Sequence, residues 1–250
     1  MRALFRLFLV VLIAGACTAA SAEQTGRRVA LVIGNSAYVS QGALSNPGPD
    51  SRLVADALRR VGFEVVAQTD LGKPAMERAL RDFSRSADGA EVALIYYAGH
   101  GMEANDKNWL LPTDIELSDD RDLPSRAVRL DAMIDAVAPA RGLRVVVLDA
   151  CRNNPFARLM QRNDFEGATV TRGLADVEVS GTLVVFSARG GTLAQDGPEG
   201  GNSPFALAFA RRAVNPDEDI RLLFPKVRDD VMSATNGAQE PFTYGSLTSQ

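Results

Sequence analysis

Four short apolar runs constrain this chain more than any other feature: RVALVIGN at 28–35, EVALIYYAGHG at 91–101, LRVVVLDAC at 143–151 and GTLVVFSA at 181–188. They are rich in β-branched residues and lack the polar alternation of a strand with one wet face. They therefore read as strands buried on both sides, as parallel sheets require. Helical patterns lie between them. DSRLVADALRRVG puts Leu53, Val54, Ala57, Leu58 and Val61 on one face, with Gly62 as a stop. FEVVAQTD predicts a further strand, PAMERALRDFSRSA a second helix, and residues 130–138 another. SPFALAFARRA and DIRLLFPKVRDDVMSAT predict two late helices, and QEPFTYGSL a strand that closes the sheet. The alternation predicts an α/β fold with a mostly parallel sheet of about six strands, flanked by helices on both faces. In such sheets ligands gather at the carboxyl ends of the strands.

The first residues, MRALFRLFLVVLIAGACTAASAEQ, run from two arginines through a short apolar stretch to the small residues Ala20-Ser21-Ala22. That order predicts a signal peptide at 1–22, because the apolar stretch falls short of the roughly 20 residues a spanning helix needs. The expectation is an exported protein, periplasmic or secreted. Lipidation at Cys17 and an uncleaved anchor are the rival readings, and either would tie the protein to a membrane. Cleavage removes Arg2 and Arg6 from a chain whose formal net charge is already −4. An acidic balance gives no footing for nucleic-acid binding.

Cleavage would also remove Cys17, leaving Cys151 as the one cysteine and His100 as the one histidine. A lone thiol in an oxidising compartment is a liability unless it is buried or used. Taken singly, His100 could be a loop histidine bonded to carbonyls, and Cys151 a small buried hydrophobe. Both, however, are expected just past equivalent strand ends, and a thiol needs a nearby base to be a good nucleophile at neutral pH. Gly99 and Gly101 flank the histidine, which predicts close backbone approach and an accessible ring.

IYYAGHG followed by VVVLDACRNNPF resembles the two catalytic blocks of the caspase-like cysteine peptidases, family C14, in their bacterial metacaspase and paracaspase form. The separation of histidine and cysteine is that of the caspase signature. RVALVIGNSAY and DGPEGGNSPFALAF extend the resemblance over residues 28–247. It implies a large-subunit-like part at about 28–160, a connection at about 152–180 and a small-subunit-like part at about 181–250, within one domain at 23–250. It implies Cys151 as nucleophile and His100 as general base and acid. The oxyanion hole would be formed by the main-chain N–H groups of Gly101 and Cys151.

Caspases carry Gln-Ala-Cys-x-Gly at the nucleophile, whereas this chain reads Asp149-Ala150-Cys151-Arg152-Asn153. A carboxylate two residues before the nucleophile repels an acidic substrate side chain and attracts a basic one. Metacaspases and paracaspases have Asp there and cleave after Arg or Lys. The resemblance also makes Asp50 a second pocket acid. Its position after Pro and before a helical pattern equally suits an N-cap. Asp196, in the glycine-rich AQDGPEGG, is a third candidate for the cleft wall, or else a solvated turn residue.

The implied activity is an exported cysteine endopeptidase acting on polypeptides with Arg or Lys at the cleaved position. The alternatives are a catalytically silent scaffold of the same fold and a cysteine amidase or esterase using the same dyad. No cofactor is required by this chemistry. One cysteine and one histidine cannot make a zinc site. The acidic stretch from Asp106 to Asp122 lacks the spacing of a calcium loop, so calcium is possible without support from the pattern. The arginines at 152, 158, 162 and 172 make self-cleavage in the connection a further expectation. Monomer and dimer are both open.

Overall fold

A computed structural model describes residues 26–40, 42–104, 107–151, 181–189, 194–215 and 220–245. The expected signal peptide and the connection at 152–180 lie outside the described residues. The strands are β1 (Arg28–Gly34), β2 (Glu64–Thr69), β3 (Val92–Ala104), β4 (Lys107–Leu110), β5 (Val128–Arg129), β6 (Leu143–Cys151), β7 (Leu183–Phe186) and β8 (Phe242–Tyr244). The helices are α1 (Pro47–Arg60), α2 (Lys73–Ala87), α3 (Leu123–Arg126), α4 (Leu130–Val137), α5 (Pro204–Ala213) and α6 (Ile220–Ala234). The main path of the sheet runs β2-β1-β3-β6-β7-β8. All its pairs are parallel except the last, where β8 runs antiparallel to β7. This is the expected sheet of six strands.

Burial on both faces explains the apolar runs. Leu31, Ile33, Ile95, Tyr97, Val146 and Leu148 belong to the core shared with α2 and α4. Their neighbours Ala30, Val32, Leu94, Tyr96, Val145 and Val147 pack in a second core with α1, α5 and α6. With a side-chain period of two, a single strand feeds both cores. Even positions of β3 and odd positions of β6 therefore face α1 and α5, and that parity sends Tyr96 and Asp149 toward one place.

Two expectations about β3 are corrected. The strand does not stop before His100; it continues to Ala104 and pairs antiparallel with β4, Gly101 opposite Leu110. The acid-rich stretch predicted as a loop begins with that strand. Buried apolar side chains at Met102, Ala104, Trp109 and Leu111 make a third small core with Tyr38 and Leu117, which supports the extension. Helix α1 also begins earlier than its apolar face suggests. Pro47 is accepted in the first turn because an amide N–H there would have had no helical partner.

Candidate active site

The register of the central strands sets the site. Along β3 and β6, Tyr96 pairs with Val147, Ala98 with Asp149, and His100 with Cys151. The lone histidine and Cys151 are thus direct neighbours across one parallel pair, inside the ladder rather than beyond it.

Around His100 the backbone is pinned by two tyrosines. The main-chain N–H of His100 donates to Tyr38 Oη at 2.8 Å, and Tyr97 Oη donates to the His100 carbonyl at 2.8 Å. Tyr38 Oη also donates to the Leu111 carbonyl at 3.0 Å, and the single Tyr97 hydroxyl proton is shared between the His100 carbonyl and that of Leu111, also at 3.0 Å, which ties the histidine to the chain leaving β4. Gly99 explains how they come so near. It has φ +154°, and a Cβ there would lie 2.6 Å from Tyr38 Oη and 2.8 Å from Tyr97 Oη. Glycine therefore serves the tyrosines, not an open ring as the flanking glycines predicted. His100 is only 6% exposed. Its ring centroid lies 4.5 Å from that of Tyr38, and neither ring nitrogen has a hydrogen-bond partner among the described residues. Burial pushes its pKa down to about 4, against a smaller opposing pull from Asp196. At neutral pH the ring is an uncharged base.

On the α1/α5 side of the sheet the two predicted pocket acids meet. Asp149 is buried near the end of β6, and its Oδ2 accepts from Tyr96 Oη at 2.9 Å and from Ser203 Oγ at 2.8 Å. Asp50 is buried in the first turn of α1, and its Oδ1 accepts from Asn202 Nδ2 and from the Ser203 N–H, both at 2.9 Å. It is not an N-cap: Asn46 holds that position, and the Asp50 carboxylate reaches across to the start of α5. Desolvation first and the nearby charge of Asp149 second push Asp50 up to about 7. Burial raises Asp149 as well, against the hydroxyls of Ser203 and Tyr96. Two acids held this way resist being ionised together unless a cation offsets their charge.

Asp196 is exposed. The Asn46 side chain, at the start of α1, donates to the Asp196 carbonyl and to that of Pro198, which fastens this loop over the acid pair. The charge of Asp196 reaches both His100 and Asp149. Gln239, fully buried, fixes the other end by donating to the Ser187 carbonyl and accepting from the Gln195 N–H. Tyr38, Tyr96, Asn202, Ser203 and Gln239 were not legible as site residues. The only signal for Ser203 was its place before Pro204 at a helix start.

Among the described residues, no group of three or more His, Cys, Asp or Glu side chains is arranged to hold a metal ion. In the acidic stretch, Asp122 Oδ2 accepts from the N–H groups of Ser118 and Asp119, and Asp119 pairs with Arg121. None of the helices among the described residues is long and apolar enough to cross a membrane.

Residues 27–250 match the caspase domain of peptidase family C14. The mouse (Mus musculus) mucosa-associated lymphoid tissue lymphoma translocation protein 1 homolog is 26% identical over 218 residues, 84% of this chain and 24% of that protein. The human (Homo sapiens) protein is 25% identical over 208 residues, 82% of this chain and 24% of its own length. This chain thus spans about a quarter of the curated relatives it matches. Among solved structures, the Drosophila initiator caspase Dronc aligns with a TM-score of 0.63 at 14% identity, covering 88% of this chain and 80% of that one. The structure of pro-sf-caspase-1 gives 0.63 at 15%, covering 90% and 89%. Those two matches bear on the fold, and they agree with the caspase-like α/β architecture expected from sequence. The chain belongs to the caspase-domain peptidases of family C14.

Proposed function

We propose that this chain is a cysteine endopeptidase that cleaves polypeptides after Arg or Lys. The observation that carries the reading is the buried acid pair, Asp50 and Asp149, beside the register-paired His100 and Cys151. Two carboxylates in one buried place are costly without a cation, and a basic side chain supplies one through charge-assisted hydrogen bonds.

In this reading His100 takes the Cys151 thiol proton, and the sulfur attacks the carbonyl carbon after the basic residue. The developing oxyanion is received by the main-chain N–H groups of Gly101 and Cys151. His100 then returns the proton to the leaving amine, and water hydrolyses the thioester with the imidazole again as base. Neutral imidazole in the resting site suits the first step, since a histidine already protonated could not accept the thiol proton. Asp149 and Asp50 hold the basic side chain, and Asp196 adds negative charge at the entrance. The chemistry draws on no cofactor. Export by the segment 1–22 belongs to the same proposal, because it leaves Cys151 the single thiol of the mature chain.

The test is hydrolysis of fluorogenic peptides with Arg, Lys or Asp at the cleaved position. The chain without residues 1–22 is compared with its Cys151→Ala variant, with and without calcium. Turnover after Arg or Lys that disappears in the variant is expected. Turnover only after Asp would keep a peptidase and overturn the basic pocket. Ester turnover with no need for a basic residue would favour the amidase or esterase reading, and a folded but silent protein would favour the scaffold.

A further inference from the structure

We infer that Ser203 is the positioning residue of the pocket, and that its hydroxyl sets the preference for arginine over lysine; this rests on the peptidase reading above. Among the described residues it alone bonds both acids, giving its N–H to Asp50 Oδ1 and its hydroxyl to Asp149 Oδ2. The direction of the second bond follows from a third. Ser203 Oγ already accepts from the Ala206 N–H at 2.9 Å as the N-cap of α5, so its one proton is free to point at Asp149. Asn202 adds a second donor to the same oxygen of Asp50, and Tyr96 a second donor to the same oxygen of Asp149.

The consequence is geometric. Two donors converge on Oδ1 of Asp50 and two on Oδ2 of Asp149, and one residue, at the rigid start of α5, contributes to both. In this proposal a basic side chain entering the pocket meets carboxylates whose orientation is already set. A guanidinium is a flat fork of N–H donors that gains most from acceptors held at fixed positions, while an ammonium turns freely and tolerates acceptors that shift. A pocket whose acids are clamped through one serine therefore rewards arginine. Releasing Asp149 from the clamp costs arginine recognition more than lysine recognition. The positive end of α5 also sits at the acids, which eases holding them charged once substrate enters.

Ser203→Gly separates this role from helix capping, because glycine is nearly as good at the cap as serine. It keeps the N–H to Asp50 and removes only the hydroxyl. Ser203→Thr keeps both. Two peptides differing only in Arg or Lys at the cleaved position are compared across pH, with iodoacetamide alkylation of Cys151 as a check that the nucleophile is intact. For Ser203→Gly, kcat/KM on the Arg peptide should fall about tenfold or more through KM, and the Lys peptide should lose less than about threefold. The pH at which Arg cleavage is half-maximal should rise, since a carboxylate that loses a donor ionises less readily. Ser203→Thr should restore the ratio, and alkylation should be equal throughout. Equal losses on both peptides through kcat, or no change at all, overturn the assignment of Ser203 while leaving basic specificity standing. A wild type that cleaves after neither Arg nor Lys overturns both.

Discussion

The ring of Tyr38 lies 4.5 Å from that of His100, and the Tyr38 hydroxyl accepts the His100 main-chain N–H at 2.8 Å. One residue from the loop after β1 thus holds the histidine by its face and by its backbone. Tyr38→Phe keeps the ring and leaves that N–H buried without an acceptor. The expected cost is about 1–3 kcal/mol of stability, or roughly 2–4 °C in Tm for each kcal/mol in a chain of this size. On an Arg peptide kcat should fall several-fold with KM little changed, and Tyr38→Leu should lose more by freeing the imidazole to tilt. Thermal melts and steady-state kinetics of the two variants check this. Equal kcat in wild type and Tyr38→Leu would show that the tyrosine does not steer the base.

Gly99→Ala should be worse than an ordinary glycine substitution. Its φ of +154° disfavours any side chain, and the new methyl would meet two hydroxyls that are each bound to main-chain carbonyls and cannot retreat cheaply. Gly237, at φ +79° after α6 with open space around it, supplies the comparison. Gly237→Ala pays the conformational term alone, about 1–3 kcal/mol, and should retain full kcat. Gly99→Ala should lose more stability than that and at least tenfold in kcat, because whatever yields to the methyl moves His100. Similar melts and similar activity for the two would show that the tyrosines relax without consequence.

The layered sheet was legible because burial on both faces leaves a plain mark, runs such as Val145-Val146-Val147-Leu148 with no polar break. His100 and Cys151 stood out by scarcity and Asp149 as a charge costly at a strand end, whereas Asp50 was singled out only by the family resemblance and, by its residues alone, suited an N-cap. The continuation of β3 through Gly101 to Ala104 was hidden, since glycines beside a histidine read as a strand end while the pairing with β4 is long-range. The same glycine signal misled about exposure: Gly99 makes room for hydroxyls from Tyr38 and Tyr97, and those partners cannot be seen from local spacing. Ser203 was hidden for a similar reason. A serine before a proline states that a helix starts there, and only the tertiary fold states which two acids that helix end meets.

His100 should make the protein acid-sensitive in a defined window. Unfolded, the imidazole takes a proton near its ordinary pKa of 6.5; folded, burial delays that to about 4. Between those values the unfolded chain binds more protons, so stability falls as the pH drops from 6.5 toward 4 and is unaffected by this group above the window. His100→Gln removes the effect. The difference in Tm, variant minus wild type, should grow more positive as pH is lowered from 7 to 4.5, measured by calorimetry in matched buffers. A flat difference would mean that the buried ring finds a partner for its charge on protonation.

Asp50 carries the opposite dependence, and it links stability to recognition. Its carboxyl ionises near 3.8 when unfolded and about 7 when folded, because burial and the neighbouring charge of Asp149 both oppose the anion. Between those values the folded chain binds more protons, so stability falls as pH rises from 3.8 to 7 and stays reduced above. Asp50→Asn abolishes this penalty while its side-chain oxygen can still accept from Asn202 and the Ser203 N–H. Its Tm should therefore exceed that of wild type by several degrees at pH 8, with the gain shrinking toward pH 4. The same substitution takes one negative charge from the basic pocket, and kcat/KM on an Arg peptide should fall by one to two orders of magnitude. Wild-type kcat/KM on that peptide should itself climb as pH rises through about 7, since Asp50 must lose its proton before a guanidinium can pair with both acids as anions. Melts at pH 4 and pH 8 together with the kinetic pH profile measure the three effects on one pair of proteins. A variant that is more stable at pH 8 yet fully active would leave the acid pair as a structural burden with no part in specificity, whereas gain of stability with loss of activity identifies the strain as the means by which the pocket demands a cation.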